Sequence, residues 1–194
     1  MSDKPKKQKS YGKEFERQVF KDFSRVNGVS IDRIPDQVTR YKNSSSNICD
    51  FIIFQYDQFS YSRLVYLECK STHGASLPIY SEPKADKKGE LHGFYGNIRD
   101  NQWEGLVAKS KIPGVRAGVL IWFIDKDVTM YVPIEVLQKL RADGCKSIRF
   151  DDDTKALVHL NHANVTTYMS AIKIEGKKKR TMFEYDFSNF FTSI

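Results

Sequence analysis

Residues 49–56, CDFIIFQY, and residues 64–70, LVYLECK, are two apolar runs of strand length. The polar segment Asp57–Ser62 joins them, so they read as adjacent strands, Cys49–Tyr56 and Leu64–Lys70, of one hairpin. Strand alternation puts Tyr66, Glu68 and Lys70 on one face and Val65, Leu67 and Cys69 on the other. An acid, Asp50, opens the first run, and a Glu-x-Lys triplet closes the second after seventeen intervening residues. Two carboxylates and an ammonium group are thereby carried to neighbouring strands.

Upstream, Phe15, Val19, Phe23 and Val26 recur at helical spacing, and the pattern predicts a helix over Tyr11–Asn27 with Ser10 as N-cap and Gly28 at its close. Glu16 sits beside that apolar stripe. Extended segments are expected at Ser30–Ile34 and Val38–Tyr41, parted by Pro35, with a turn-like stretch at Asn43–Asn47. Downstream, residues 71–97 hold prolines, glycines and the charged string Glu82–Glu90. A segment of that length without periodicity reads as a substrate-contacting loop or as plain flexible chain.

A helix follows over Arg99–Lys111, then a strongly apolar run, Ala117–Asp125, that reads as a buried central strand. Lys126–Thr129 turns the chain into a strand at Met130–Pro133. Ile134–Ala142 reads as a helix ending at Gly144. Short strands are expected at Ser147–Phe150 and Ala156–Leu160 around the acidic turn Asp151–Asp153. The last twenty residues mix basic and aromatic side chains and receive no element. The whole reads as an α/β chain: a flexible basic arm over 1–10, one domain over 11–175, and a basic, aromatic extension over 176–194.

With 194 residues, 40% of them hydrophobic, the chain has enough apolar surface for one sizeable core. Its net charge of +7 points to an anionic partner, with nucleic acid first, or to solubility alone. Part of the excess is local: Lys4, Lys6, Lys7 and Lys9 near the start, and Lys177, Lys178, Lys179 and Arg180 near the end. Such runs are solvated tails unless a phosphate-directed site lies nearby, in which case they neutralise backbone phosphates. No apolar stretch is long enough to span a bilayer and no secretory signal precedes the first helix. Three scattered cysteines suit a reducing compartment, so a cytoplasmic setting with no membrane partner is expected. Cys49 and Cys69 flank candidate ligands but read as small buried hydrophobes.

Two carboxylates brought together this way provide the hard oxygen donors that Mg²⁺ prefers, with Mn²⁺ as a substitute. Such an ion activates water and neutralises charge on a phosphodiester. Asp50 and Glu68 are the expected direct ligands, the Cys69 carbonyl a further oxygen, and Glu16 a ligand through water or to a second ion. Lys70 reads as the group that positions the water and stabilises the charge on phosphorus, or alternatively as a general base. His73 and His92 read as polar loop residues. Tyr11, Phe94 and Trp103 are candidates for base stacking, with core packing the alternative. On the residues alone the chain reads as a metal-dependent nuclease.

These fragments resemble the PD-(D/E)XK nuclease superfamily, with Asp50 as its first acid and Glu68-Cys69-Lys70 as its (D/E)XK; Cys49 stands in place of the proline. More narrowly, Gly12-Lys13-Glu14-Phe15-Glu16, Asp50-Phe51, Glu68-Cys69-Lys70 and Asn101-Gln102 are similar in kind and order to the RecU-type Holliday junction resolvases of Gram-positive bacteria and their phages. The likeness spans roughly Tyr11 to Leu140. It implies a central mixed β-sheet flanked by helices, the restriction-endonuclease-like fold. It further implies an intertwined homodimer, binding to four-way DNA junctions, and symmetric paired nicking with Mg²⁺. Gln102 is carried over as an active-site or phosphate-contacting residue, a surface helix glutamine being the alternative. The family's projecting stalk is absent or shortened around Pro35–Asn47, and Ser71–Asn97 is longer than its counterpart. Two rival functions remain at this stage. One is a restriction- or repair-type nuclease acting on duplex, flap or single-stranded DNA; the other is a catalytically silent DNA-binding accessory protein.

Overall fold

The computed structural model describes residues 11–35, 47–56, 62–79, 84–85, 91–92, 97–160, 166–168, 170–179 and 183–194. In chain order these form α1 (Tyr11–Phe23), β1 (Val29–Arg33), β2 (Phe51–Gln55), β3 (Arg63–Thr72), β4 (Ser76–Pro78), β5 (Lys84–Ala85) and β6 (Leu91–His92). They continue with α2 (Asp100–Ser110), β7 (Val115–Phe123), a 3-10 turn (Ile124–Lys126), β8 (Val128–Pro133), α3 (Ile134–Ala142), β9 (Ser147–Asp151) and β10 (Ala156–Leu160). The last elements are β11 (Thr166–Tyr168), β12 (Ile172–Ile174), β13 (Gly176–Lys178), β14 (Phe183–Tyr185) and α4 (Phe190–Ser193). Residues 1–10 and 36–46 lie outside the described set, and with them the basic arm and the expected Val38–Tyr41 strand.

The principal sheet has six strands in the order β1-β2-β3-β7-β8-β12. β3 and β7 run parallel, with α2 in the connection between them, and every other neighbouring pair is antiparallel. A parallel pair needs a crossover of this kind, whereas β2 and β3 are adjacent in sequence and close as a hairpin. The protein is therefore α/β, built on a large mixed sheet flanked by helices. A four-stranded sheet, β11-β10-β9-β4, and two two-stranded ribbons complete the described strands. Among the described residues no helix is long and apolar enough to cross a membrane.

Apolar side chains fill both faces of the sheet. On one face Val65, Leu67, Cys69, Phe51 and Ile53 pack with Phe15, Val19 and Phe23 of α1. On the other, Val119, Ile121 and Phe123 of β7 meet Leu106 of α2, Leu137 of α3 and Ile148 of β9. β7 is buried on both sides, which is why its sequence is a continuous apolar run rather than an alternating one.

Two boundaries differ instructively from the sequence expectation. α1 stops at Phe23 rather than Asn27, because Val26 and Val29 close successive turns onto Phe23 and Val26 and lead into Gly28 at φ +72°. The Gly28 carbonyl then accepts the Tyr56 N–H at 2.9 Å, a geometry a β-carbon would crowd. β2 begins at Phe51, one residue after Asp50, which frees the Asp50 side chain for another task.

The C-terminal residues that carried no expected element are part of the core. β12 adds the sixth strand beside β8. Phe187 lies flat on Phe23, ring centroids 3.7 Å apart and planes 12° from parallel, and Phe190 and Phe191 are buried with them. The buried Asp22 carboxylate holds this region to α1 by accepting the Tyr185 backbone N–H at 2.7 Å. We expect Phe187→Ala to cost about 3–5 kcal/mol in chemical denaturation, the range for emptying a buried aromatic site. Lys177→Ala, on the exposed ribbon nearby, should stay within about 0.5 kcal/mol of wild type.

Candidate active site

Asp50 stands one step beyond the last ladder pair of the hairpin, Phe51 opposite Leu67. Its N–H donates to the Leu67 carbonyl at 3.1 Å, and its Oδ2 accepts the Cys69 N–H at 2.7 Å. The aspartate thus extends the ladder with its side chain and is held beside Glu68. Ile34 N–H donates to the Asp50 carbonyl at 2.9 Å, fixing the same residue from the β1 side.

Glu68 projects from the opposite face of β3 to Leu67 and is 2% exposed. Its Oε1 accepts from Lys70 Nζ at 2.5 Å and from Gln102 Nε2 at 2.6 Å. Lys70 also donates to Gln102 Oε1 at 3.3 Å, so the three side chains close a ring of hydrogen bonds. The Gln102 carbonyl oxygen takes the Arg99 N–H at 3.1 Å as well, which anchors the amide to the first turn of α2. Gln102 is therefore a buried participant and not a surface helix residue. Among the described residues, the second Glu68 oxygen, Oε2, is buried and finds no hydrogen-bond partner. An unpaired buried carboxylate oxygen is costly in a folded chain and marks a place where a ligand is expected to compensate.

Burial pushes the Glu68 carboxyl up from 4.5 to about 7, with the Asp50 charge adding to the rise and Lys70 opposing it. Burial likewise pushes the Cys49 thiol up to about 12 and raises that of Cys69 well above its usual range, so both stay protonated and act as apolar filling. For Glu68 the consequence is a stability that depends on pH. A carboxyl whose folded pKa is raised favours the fold most below its unfolded value and loses that contribution as pH climbs through about 7. Metal-free melting curves should show the wild type losing stability relative to Glu68→Gln between about pH 4.5 and 7, and Mg²⁺ should lessen that loss.

The lead-in to Asp50 is docked on α2. Asn101 Nδ2 donates to the Asn47 carbonyl at 2.8 Å, and Ile48 lies over Gly105 so closely that a β-carbon there would sit 2.4 Å from Ile48 Cγ2. Sequence reasoning passed over Gly105 and Ile48. The available signal was a glycine inside a helical pattern, which marks close approach of another segment.

Of the sequence-predicted site residues, Asp50, Glu68, Cys69, Lys70 and Gln102 come together. Glu16 sits on α1, on the Cys69 side of the sheet, where its charge is felt by Cys69. Its Oε2 accepts from Arg33 Nη2 at 2.6 Å, a partner that the sequence reading did not foresee. Among the described residues, no group of three or more His, Cys, Asp and Glu side chains that could hold a metal ion is formed. The acidic donors gathered at Glu68 are thus a pair, Asp50 and Glu68.

Of the aromatic candidates, Trp103 is buried beneath the Arg141 guanidinium, 4.9 Å from its ring centre, and Tyr11 packs against His73 and Trp122. Phe94 falls outside the described residues. Lys178 pairs with Asp127, and Lys179 with Glu184 at 2.9 Å, so part of the C-terminal basic cluster is neutralised internally. Neither a scan against protein-family models nor a search of curated proteins finds a match to this chain.

Proposed function

We propose that this chain is a divalent-metal-dependent DNA endonuclease of the PD-(D/E)XK type, and more narrowly a junction-resolving enzyme similar to the RecU-type resolvases. The observation that carries the reading is Glu68, buried beside Asp50, with one oxygen held by Lys70 and Gln102 and the other without a partner among the described residues. A paired carboxylate set supplemented by a backbone oxygen and water suits Mg²⁺, which dehydrates reluctantly and is commonly held by one or two carboxylates. Asp50, Glu68 and the Cys69 carbonyl are the groups proposed to hold it. When bound, it supplies Lewis acidity to the phosphate and a more acidic water.

The chain's own residues do the rest. Gln102 fixes the rotamer of Glu68 and presents its free oxygen outward from the ring of hydrogen bonds. Lys70, paired with Glu68, faces the space where negative charge builds on the phosphate under attack, the role of a fixed electrostatic stabiliser. Glu16, gripped by Arg33, is in this reading a positioned outer carboxylate rather than a direct ligand. The basic balance of the chain favours a polyanionic substrate. Two copies acting as a homodimer match the twofold relation of like strands in a four-way junction.

The test is cleavage of immobile four-way junctions, flaps and linear duplex, with and without Mg²⁺. Symmetric paired nicks in junctions support the narrow reading. Equal cutting of duplex keeps the nuclease and removes the resolvase. Tight binding without any cutting removes both.

A further inference from the structure

Immediately beyond β3 the chain presents a histidine that the catalytic reading leaves idle. His73 follows Lys70 by three residues, and the structure holds its ring on two sides. Asp125 Oδ1, on the turn after β7, lies 3.1 Å from His73 Nδ1, and Asp125 Oδ2 accepts the neighbouring Gly74 N–H at 2.5 Å. Tyr11, the first residue of α1, packs its ring edge-on against the imidazole with centroids 5.1 Å apart. Yet the His73 side chain is 62% exposed. A surface imidazole is ordinarily free to rotate; this one is oriented from beneath and left open above.

The chemistry of the pair restricts what can sit on the open side. The His73 and Gly74 hydrogen bonds hold the Asp125 carboxyl below its usual range, so it is an ionised acceptor and Nδ1 must donate to it. Nε2 is then the only ring nitrogen left for a ligand. Three residues of extended chain cover about 10 Å, close to the rise of about three nucleotides along one strand. In the sequence the four lysines at positions 4, 6, 7 and 9 precede Tyr11, the residue that touches the imidazole.

We infer that His73, held by Asp125 and Tyr11, is a second phosphate-binding site that grips a backbone phosphate of the DNA strand a few nucleotides from the one under attack. The inference rests on the nuclease reading for its substrate. A phosphate oxygen only accepts, and Nδ1 already donates to Asp125, so the ring in the complex carries both protons and lies between two anions. Among the described residues, the charged and titratable groups that face the ring are Asp125 from the turn after β7 and Tyr11 from α1. Lys126 neighbours Asp125 and is itself paired with Asp152.

The experiment uses the full chain and a DNA junction carrying one methylphosphonate, placed in turn at each position of the strand to be cut. Binding is measured without metal, and cleavage with Mg²⁺. In the wild type one neutralised position, a few nucleotides from the cut, should weaken binding about tenfold, the value of one charge-assisted hydrogen bond. His73→Gln should weaken binding of unmodified DNA by a similar factor, become insensitive to that one position, and leave turnover at saturating DNA near wild type. Asp125→Asn, with the ring retained but no longer held by a carboxylate, should give an intermediate loss. Cleavage by the wild type with an unchanged methylphosphonate profile in His73→Gln would overturn the inference alone. A His73-dependent position in a protein that never cuts would overturn the nuclease reading and leave the phosphate site standing. Absence of DNA binding in the wild type would overturn both. Because His73 is exposed, circular dichroism melts of its variant should overlay the wild type, and a lowered melting temperature would reassign the Asp125 contact to folding.

Discussion

Glu68→Gln and Asp50→Asn should each lower Mg²⁺-dependent DNA cleavage by about 1000-fold or more while leaving DNA affinity within a few-fold of wild type. The loss corresponds to about 4 kcal/mol of transition-state stabilisation, the order that a metal ion supplies at a phosphoryl centre. Affinity is spared because neither carboxylate attracts a polyanion. Removing negative charge beside the binding surface acts, if anything, in favour of DNA. Glu68 is the more informative position. The amide in Glu68→Gln keeps one oxygen for Lys70 and Gln102 to donate to, but places an NH₂ group where the unpartnered Oε2 stood. The shape of the site is retained and its capacity to hold a cation is lost.

Gln102→Leu should fall between these extremes, about 10- to 100-fold down in turnover. It touches the ligand and not the ion, and outer partners of metal ligands are typically worth that much. Turnover of Glu68→Gln near wild type, measured under single-turnover conditions with and without Mg²⁺, would remove the carboxylate from the chemistry. An equal loss of DNA binding in that variant would mean that the fold, not the reaction, had been damaged.

The hairpin and its catalytic-looking residues were legible because they lie on local periodicities. Strand alternation alone separates Tyr66, Glu68 and Lys70 from Val65, Leu67 and Cys69, and the structure keeps that division. The helix Ile134–Ala142 and the strand Ala156–Leu160 coincide with their expected bounds for the same reason. What escaped was long-range. Nothing near Glu16 in the sequence announces Arg33, seventeen residues away, as its partner, and nothing near His73 announces Asp125. The C-terminal aromatic residues resisted assignment because their elements, β12, β13, β14 and α4, are only three or four residues long. Pieces that short carry no readable period, and they exist because Phe23, Asp22 and Tyr131 give them somewhere to pack. Gln102 shows the boundary between the two cases. Its helix was readable, but its burial against Glu68 depends on how α2 crosses back over β3, which is tertiary information.

Gly105→Ala should impair catalysis without any polar group having been touched. A methyl at position 105 would stand 2.4 Å from Ile48 Cγ2 and 2.6 Å from Ile48 Cβ, distances that packed carbon atoms do not adopt. The second contact is with the base of the side chain, so a rotamer change at Ile48 does not relieve it and the backbone of residues 47–50 must move off α2. Asp50 is pulled with that backbone against its own bonds to Leu67 and Cys69, while Glu68, Lys70 and Gln102 stay bonded to one another across β3 and α2. The helix itself gains from alanine, by about 1 kcal/mol of propensity, whereas overpacking costs about 1–3 kcal/mol, so the net change in stability should be small. A displacement of about 1 Å between reacting groups is nevertheless worth about 100-fold in rate. We therefore expect turnover to fall about 100-fold with DNA affinity and melting temperature close to wild type. Ile48→Gly introduced on top of Gly105→Ala removes both contacting carbons and should restore much of the lost turnover, whereas Ile48→Gly alone only opens a gap. Recovery in the double variant is the decisive reading, since a lesion confined to helix packing would deepen when a second apolar group is removed. An additive loss in the cycle would mean that the Ile48–Gly105 contact does not set the position of Asp50.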